Sequence, residues 1–264
     1  MAVKFDLYQV DAFTDHLFGG NPACVVSLPY WLPDDVMLKI ARENAVAETA
    51  FFVDKGTKIH LRWFTPEIEM DLCGHATLAT AHCLKAILQD IRDPLIFETL
   101  SGDLEVSVDH GLYKMNFPSR MPVAASLPDN ILKALNIAPR EILKSRDFVL
   151  IYENESDIRS ITVNRNLFDQ VNLGTGGVIV TAKGDHCDFA SRFFTPQASI
   201  LEDPVTGSAH CSLIPLWASR LGKKQMTALQ LSERMGKLYC EDQGTRVTVA
   251  GNARTYSVGS FWIE

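Results

Sequence analysis

Basic residues are the minority charge in this 264-residue sequence: 25 Lys and Arg stand against 32 Asp and Glu, a formal net charge of −7. No basic run exceeds Lys223-Lys224. The stripe of positive charge with which a general nucleic-acid binder neutralises phosphates is therefore missing, and no nucleic-acid partner is expected. Long apolar runs are missing too. None approaches the ~20 residues of a spanning helix, so no membrane association is expected. The opening Met1-Ala2-Val3-Lys4-Phe5 has no basic stretch leading into an apolar one, so no signal peptide is expected. The six cysteines include no CxxC pair, which excludes a small disulfide scaffold and favours reduced thiols in the cytoplasm. His82-Cys83 and His210-Cys211 are sequence neighbours without the usual ligand spacings, and no metal site is expected. What remains is ordinary globular material: 47% hydrophobic and 22% charged residues, enough for one large domain or two of roughly 130 residues.

Strands are expected around Phe5, Leu7 and Val10, and at Ala23-Cys24-Val25-Val26, with Phe18-Gly19-Gly20-Asn21-Pro22 as the loop between them. Leu32-Pro33-Asp34-Asp35 opens a helix: Pro suits a first turn, and two acids favour the positive end of the helix dipole. Ala50-Phe51-Phe52-Val53 and the stretch 59–64 read as strands, 74–88 as an Ala- and Leu-rich helix, and 95–99, 104–108 and 113–117 as further strands. Strand and helix alternate too irregularly for a doubly wound parallel sheet.

The sequence also repeats itself. Arg62-Trp63-Phe64-Thr65-Pro66 returns as Arg192-Phe193-Phe194-Thr195-Pro196, an offset close to half the chain. Each copy leads through an acidic stretch to a glycine step and an Ala-containing helical segment: Asp71-Leu72-Cys73-Gly74-His75-Ala76-Thr77 in the first, Glu202-Asp203-Pro204-Val205-Thr206-Gly207-Ser208-Ala209-His210 in the second. At nearly the same offset, the run from Glu48 to Phe52 matches that from Gly177 to Thr181. Two like-folded halves, 1–118 and 119–264, are expected. The linker lies near 118–128, the final strands are able to pack on the first half, and both glycine steps meet at one cleft.

A helix start leaves backbone N–H groups without internal partners and carries partial positive charge. Gly74-His75 and Gly207-Ser208 would then make two anion-binding ends suited to a substrate carboxylate, glycine letting a ligand approach the backbone. The alternative is two ordinary helix starts capped by Thr206 and Ser208. Three titratable residues lie nearby. Glu48 begins an apolar strand, where burial would suit it to move protons near neutral pH; the alternative is a solvated loop residue. His75 would polarise or protonate a substrate, or cap its own helix. Asp203, before Pro204, is either a turn residue or a carboxylate facing His75 across the cleft.

Over essentially its whole length the sequence resembles the PhzF, or phenazine-biosynthesis, family. The resemblance rests on Val10-Asp11-Ala12-Phe13-Thr14, Phe18-Gly19-Gly20-Asn21-Pro22-Ala23, Glu48-Thr49-Ala50-Phe51, the run from Arg62 to Pro66, Leu72-Cys73-Gly74-His75-Ala76-Thr77 and the run from Glu202 to His210. It implies the diaminopimelate epimerase-like fold: an α+β protein of two pseudo-symmetric halves, each a barrel-like, mostly antiparallel sheet around a central helix. It further implies isomerisation without a cofactor. In the namesake enzyme a glutamate moves a proton on an unsaturated hydroxy amino acid; Glu48 matches that glutamate, His75 its histidine and Asp203 its aspartate. Gly74, His75, Gly207 and Ser208 match the backbone anion cradle. Asn21 lies in a matching loop without an assigned role. A homodimer follows from the resemblance alone.

Related epimerases and racemases of this fold use one cysteine from each half. Here Cys73 stands at the first such position and Thr206 at the second, so a two-thiol mechanism is disfavoured. Pro215, inside the second central helix, should bend it or part its first turns. The expected function is a proton-shifting isomerase acting on a small carboxylate-bearing metabolite. The alternatives are a metabolite-binding protein without catalysis and a single-thiol epimerase using Cys73.

Overall fold

The computed structural model describes residues 2–264, which divide into two compact units, residues 2–116 with 250–264 and residues 117–249. In chain order the first unit carries β1 (Val3–Ala12), β2 (Asn21–Ser27), α1 (Asp34–Asn44), β3 (Glu48–Asp54), β4 (Ile59–Phe64), β5 (Glu69–Met70), α2 (Gly74–His82), β6 (Leu95–Thr99), β7 (Gly102–Asp109) and β8 (Leu112–Pro118), whose end crosses into the second unit. The second carries β9 (Val123–Ala124), α3 (Asp129–Ala134), β10 (Glu141–Lys144), β11 (Phe148–Ile151), α4 (Glu155–Ser160), α5 (Arg165–Phe168), β12 (Val178–Lys183), β13 (Phe189–Phe194), β14 (Glu202–Asp203), α6 (His210–Leu221), β15 (Gln225–Gln230), β16 (Gly236–Asp242) and β17 (Arg246–Gly251), whose last two residues belong to the first unit. The final strand, β18 (Ala253–Ile263), lies antiparallel against β1 in the first unit. The stretch 119–264 is thus divided between the units.

Both units build their sheets by one rule. In the first, β1 and β2 are antiparallel, β2 and β3 parallel, β3 and β4 antiparallel, β4 and β6 parallel, and β6 and β7 antiparallel. In the second the same sequence of relations runs through β10, β11, β12, β13, β15 and β16. Register makes the correspondence residue by residue. Phe51 opposes Arg62, and Val180 opposes Arg192. Glu48 and Gly177, each three residues earlier, therefore hold equivalent positions. Each arginine grips the acid that follows it: Arg62 bonds both carboxylate oxygens of Glu69, and Arg192 both of Glu202.

The central helix of each unit is buried. All nine residues of α2 are inside, packed against β1, β2, β3 and β18. Such a helix cannot leave hydroxyls unmatched, and Thr77 and Thr80 donate theirs to the carbonyls of Cys73 and Ala76. The α-helix stops at His82 and continues as a π-helical turn over Cys83–Ile87, closed by Leu88 N–H on the Cys83 carbonyl. In the second unit the glycine step opens a 3₁₀ turn, Gly207–Ala209, and α6 starts only at His210. Pro215 sits inside α6. Its missing N–H strands the carbonyl of Cys211, four residues back. The backbone N–H of Arg120 takes that carbonyl at 2.8 Å, so the stretch expected to be a linker instead completes the helix.

Outer helices cover the other faces of the sheets. Met37, Ile40 and Ala41 of α1, at helical spacing, join Phe5, Val26, Phe51 and Phe64. Pro33 stands just before the first helical residue, and its carbonyl accepts from Val36 and Met37. Ile131, Ile158 and Phe168, from α3, α4 and α5, cover Phe148, Leu150, Val178 and Val180. Among the described residues no helix is long and apolar enough to cross a membrane.

Candidate active site

Three elements of the first unit converge on one imidazole. His75 is the second residue of α2, Glu48 the first of β3, and Asn21 the first of β2. Gly20 makes the approach of Asn21 feasible: its φ is +62°, and a β-carbon there would lie 2.0 Å from the Ala12 carbonyl oxygen. Glu48 Oε2 lies 3.1 Å from His75 Nε2, with the two side chains 15% and 3% exposed. Glu48 is thus no solvated loop residue. Nor does His75 cap its helix; no side chain caps the first turn of α2. On the other edge of the ring, Asn21 Nδ2 lies 3.1 Å and Cys73 Sγ 3.6 Å from Nδ1. The charge pair is off the hydrogen-bond line: neither Glu48 Oε2 nor His75 Nε2, both buried, has an aligned hydrogen bond. Buried polar atoms left this way call for an explanation, and a reacting ligand is one.

Glu48, Cys73 and His75 bring ligand-type atoms within 4.8 Å of one another. The carboxylate lies nearest Nε2 and the thiol nearest Nδ1.

Asp203, in the second unit, pairs with Phe193 in the short β14 ladder. Its Oδ2 accepts the hydroxyl of Thr206 at 2.5 Å. Gln230 braces the pair: Oε1 accepts the Thr206 N–H, while Nε2 donates to the Asp203 carbonyl and to Thr206 Oγ1. Thr206 therefore serves Asp203 and caps nothing. Ser208 accepts from the Arg146 guanidinium at 2.9 Å and caps nothing either. The equivalences continue along the helix start. Cys73 and Thr206 are the extended residues preceding the two turns, with φ, ψ of −140°, 110° and −109°, 94°. His75 then corresponds to Ser208 and Thr77 to His210; Thr77 donates to the Cys73 carbonyl as His210 Nδ1 does to that of Thr206.

Sequence reading missed Arg146, Asp147, Gln230 and the part Asn21 plays. Only Asn21 carried a signal, its place in Phe18-Gly19-Gly20-Asn21-Pro22-Ala23.

Residues 10–259 match the sequence family described as phenazine biosynthesis-like protein. The chain belongs to the PhzF family. An uncharacterized isomerase of Pseudomonas aeruginosa is 44% identical over 259 residues, 98% of this chain and 99% of that protein. The crystal structure of a PhzF-family protein from Enterococcus faecalis superposes with a TM-score of 0.93 at 42% identity, covering 99% of this chain and 100% of that one. With a hydroxyproline epimerase from Agrobacterium vitis the likeness is one of fold: TM-score 0.63 at 11% identity, over 98% of this chain and 93% of that one. The PhzF chain is accordingly an isomerase by class, built on the epimerase-like α+β fold.

Electrostatics in this PhzF site depend on the buried imidazole. Burial works against the charged form of His75, but the neighbouring Cys73 and Glu48 outweigh it and hold the histidine well above its ordinary 6.5. Burial pushes the Cys73 thiol up, with Glu48 adding to the rise. His210, the first residue of α6 in the second unit, goes the opposite way: burial pulls it down to about 4.

Proposed function

We propose that this PhzF-family isomerase moves a proton within a small carboxylate-bearing metabolite, without a cofactor, and that Glu48 is the group that takes and returns it. The observation that supports this reading is the buried Glu48–His75 pair, 3.1 Å apart with neither facing atom in an aligned hydrogen bond. A base that removes a proton from carbon must sit shielded from water and be able to return the proton without losing it to solvent. In the proposed cycle Glu48 takes the proton from one carbon of the substrate, the electron pair shifts through the adjacent unsaturation, and a proton is delivered to the carbon where the pair arrives. His75, held as a cation, stabilises the negative charge that develops. Asp203, gripped by Thr206, is assigned as the second carboxylate. The Gly74-His75 and Gly207-Ser208 backbones are assigned to the substrate carboxylate, and neither turn carries a side-chain cap. We take the working protein to be a homodimer by family likeness, which sedimentation tests.

A single-thiol epimerase using Cys73 fits less well. Its thiol is raised by burial, and Thr206 offers no second thiolate. The test is deuterium incorporation from D₂O into a panel of small unsaturated hydroxy- and amino-carboxylates, followed by mass spectrometry. Wild-type protein is expected to label at least one compound, and Glu48→Gln to slow that labelling by about 10²–10⁴. If Cys73→Ala abolishes labelling while Glu48→Gln leaves it intact, the thiol reading replaces this one.

A further inference from the structure

We infer that Arg146 is a positioning residue: by donating to Ser208 it reserves the Ser208 hydroxyl proton for the carboxylate of the bound metabolite. The inference rests on the reading above, in which the Gly207-Ser208 turn holds that carboxylate.

Arg146 Nη2 donates to Ser208 Oγ at 2.9 Å. A guanidinium has donors only, so the hydroxyl oxygen must accept, and its own O–H is left to find an acceptor elsewhere. Ser208 is 9% exposed, and among the described residues no acceptor engages that proton. A buried hydroxyl with an unspent proton, beside a helix start without a side-chain cap, fits an anion that arrives from outside.

The arginine is itself held. Its Nε and Nη2 reach the Asp147 carboxylate at 3.1–3.2 Å, and Asp147, 1% exposed, also accepts the Gly177 N–H at 2.9 Å. A charge-matched, buried anchor fixes the guanidinium where a lone surface arginine would wander. The path runs Gly177, Asp147, Arg146, Ser208. Its ends are the counterparts of Glu48 and His75, which in the first unit touch directly. The carboxylate that touches the imidazole in one unit is replaced in the other by a bare glycine, and Arg146, anchored on Asp147, brings a donor to Ser208 instead. Carboxylates are the ligand class such a donor set recognises.

The experiment uses benzoate, a planar carboxylate, titrated into the ¹⁵N-labelled full chain while the amide shifts of Gly207 and Ser208 are followed. Ser208→Ala is expected to weaken binding about tenfold, the scale of one hydrogen bond to a charged group. Arg146→Gln, which can both donate and accept and so can consume the Ser208 proton, is expected to cost about as much. Arg146→Lys, still a donor only, should stay within about threefold of wild type. Combining Arg146→Gln with Ser208→Ala should lose no more than Ser208→Ala alone, a saturation that a merely structural arginine would not produce. If the Gln variant does not fold, Arg146→Gln with Asp147→Asn removes both charges together and takes its place. Should Ser208→Ala bind normally and the two amides ignore benzoate, the carboxylate reading of the turn fails. Should Ser208→Ala weaken binding while Arg146→Gln does not, or should their losses add in full, the Arg146 inference alone is overturned.

Discussion

Glu48 in the first unit and Gly177 in the second hold the same place, one residue ahead of the first rung of matched ladders: Thr49 opposite Phe64, Val178 opposite Phe194. The glutamate reaches a buried imidazole. At the glycine a β-carbon would lie 2.4 Å from the Phe193 ring. The same contrast recurs at the helix starts, where His75 and Cys73 are answered by Ser208 and Thr206. The units share a scaffold and differ in the side chains at matched positions: Glu48, Cys73 and His75 in one, Gly177, Thr206 and Ser208 in the other.

The sharpest way to break this comparison is to remove the acid from the first unit. Glu48→Gln keeps the shape, so circular dichroism should match wild type while turnover falls by about 10²–10⁴. The same variant should shift the histidine. With Glu48 gone, Cys73 alone is left to oppose burial, and the titration of His75, followed by imidazole NMR, should fall from its wild-type position. A histidine raised in the folded state adds stability that is complete below 6.5 and fades as pH climbs through the raised value. The stability advantage of wild type over Glu48→Gln should accordingly be greatest in mild acid and vanish in alkali.

Next in size are the paired arginines. Arg192 bonds Glu202 and also the carbonyls of Ile158 and Ile161, whereas Arg62 pairs with Glu69 and the exposed Asp34. In chemical denaturation, Arg192→Met should cost about 2–4 kcal/mol, since it orphans an acid and two carbonyls, and Arg62→Met about half of that. Equal losses would mean the extra carbonyl bonds contribute nothing.

Gly177→Ala comes third. A methyl group forced against Phe193 and the Phe194 carbonyl should destabilise by about 1–3 kcal/mol, and a neutral result would show that the second unit has room for a side chain after all. Smallest is Cys73→Ala, expected to retain most turnover and to cost about 1 kcal/mol or less in thermal melts.

Much of the frame was legible because its signals are local. The Arg-aromatic-Phe-Thr-Pro repeat, and the alignment of the Glu48 run with the Gly177 run, name residues that the strand registers then match one to one. The helix beginning at Gly74 and the strand beginning at Glu48 were readable from composition. The rest was hidden because it depends on contacts without periodicity. Ser208 is 62 residues from Arg146, and nothing in either neighbourhood announces the other. Pro215 signalled a disturbed helix, yet the remedy, Arg120 on the Cys211 carbonyl, comes from a stretch that reads as linker. The 3₁₀ opening at Gly207 was unreadable for a related reason: its sequence resembles that of Gly74, and Thr206 spends its hydroxyl on Asp203.

The pairing of β1 with β18, Val3 opposite Ile263, bears on the order in which the protein is made. The stretch 117–249 is continuous, so it can fold as soon as it has left the ribosome. The first unit cannot. Its opening strand waits for a partner some 250 residues downstream, and the helix bearing His75 packs against that same late strand. Loop closure over such a distance is slow and costly in entropy. The unit holding Glu48 and His75 is therefore the last to be completed, so a nascent chain carries Asp203 and Ser208 in a finished unit before Glu48 and His75.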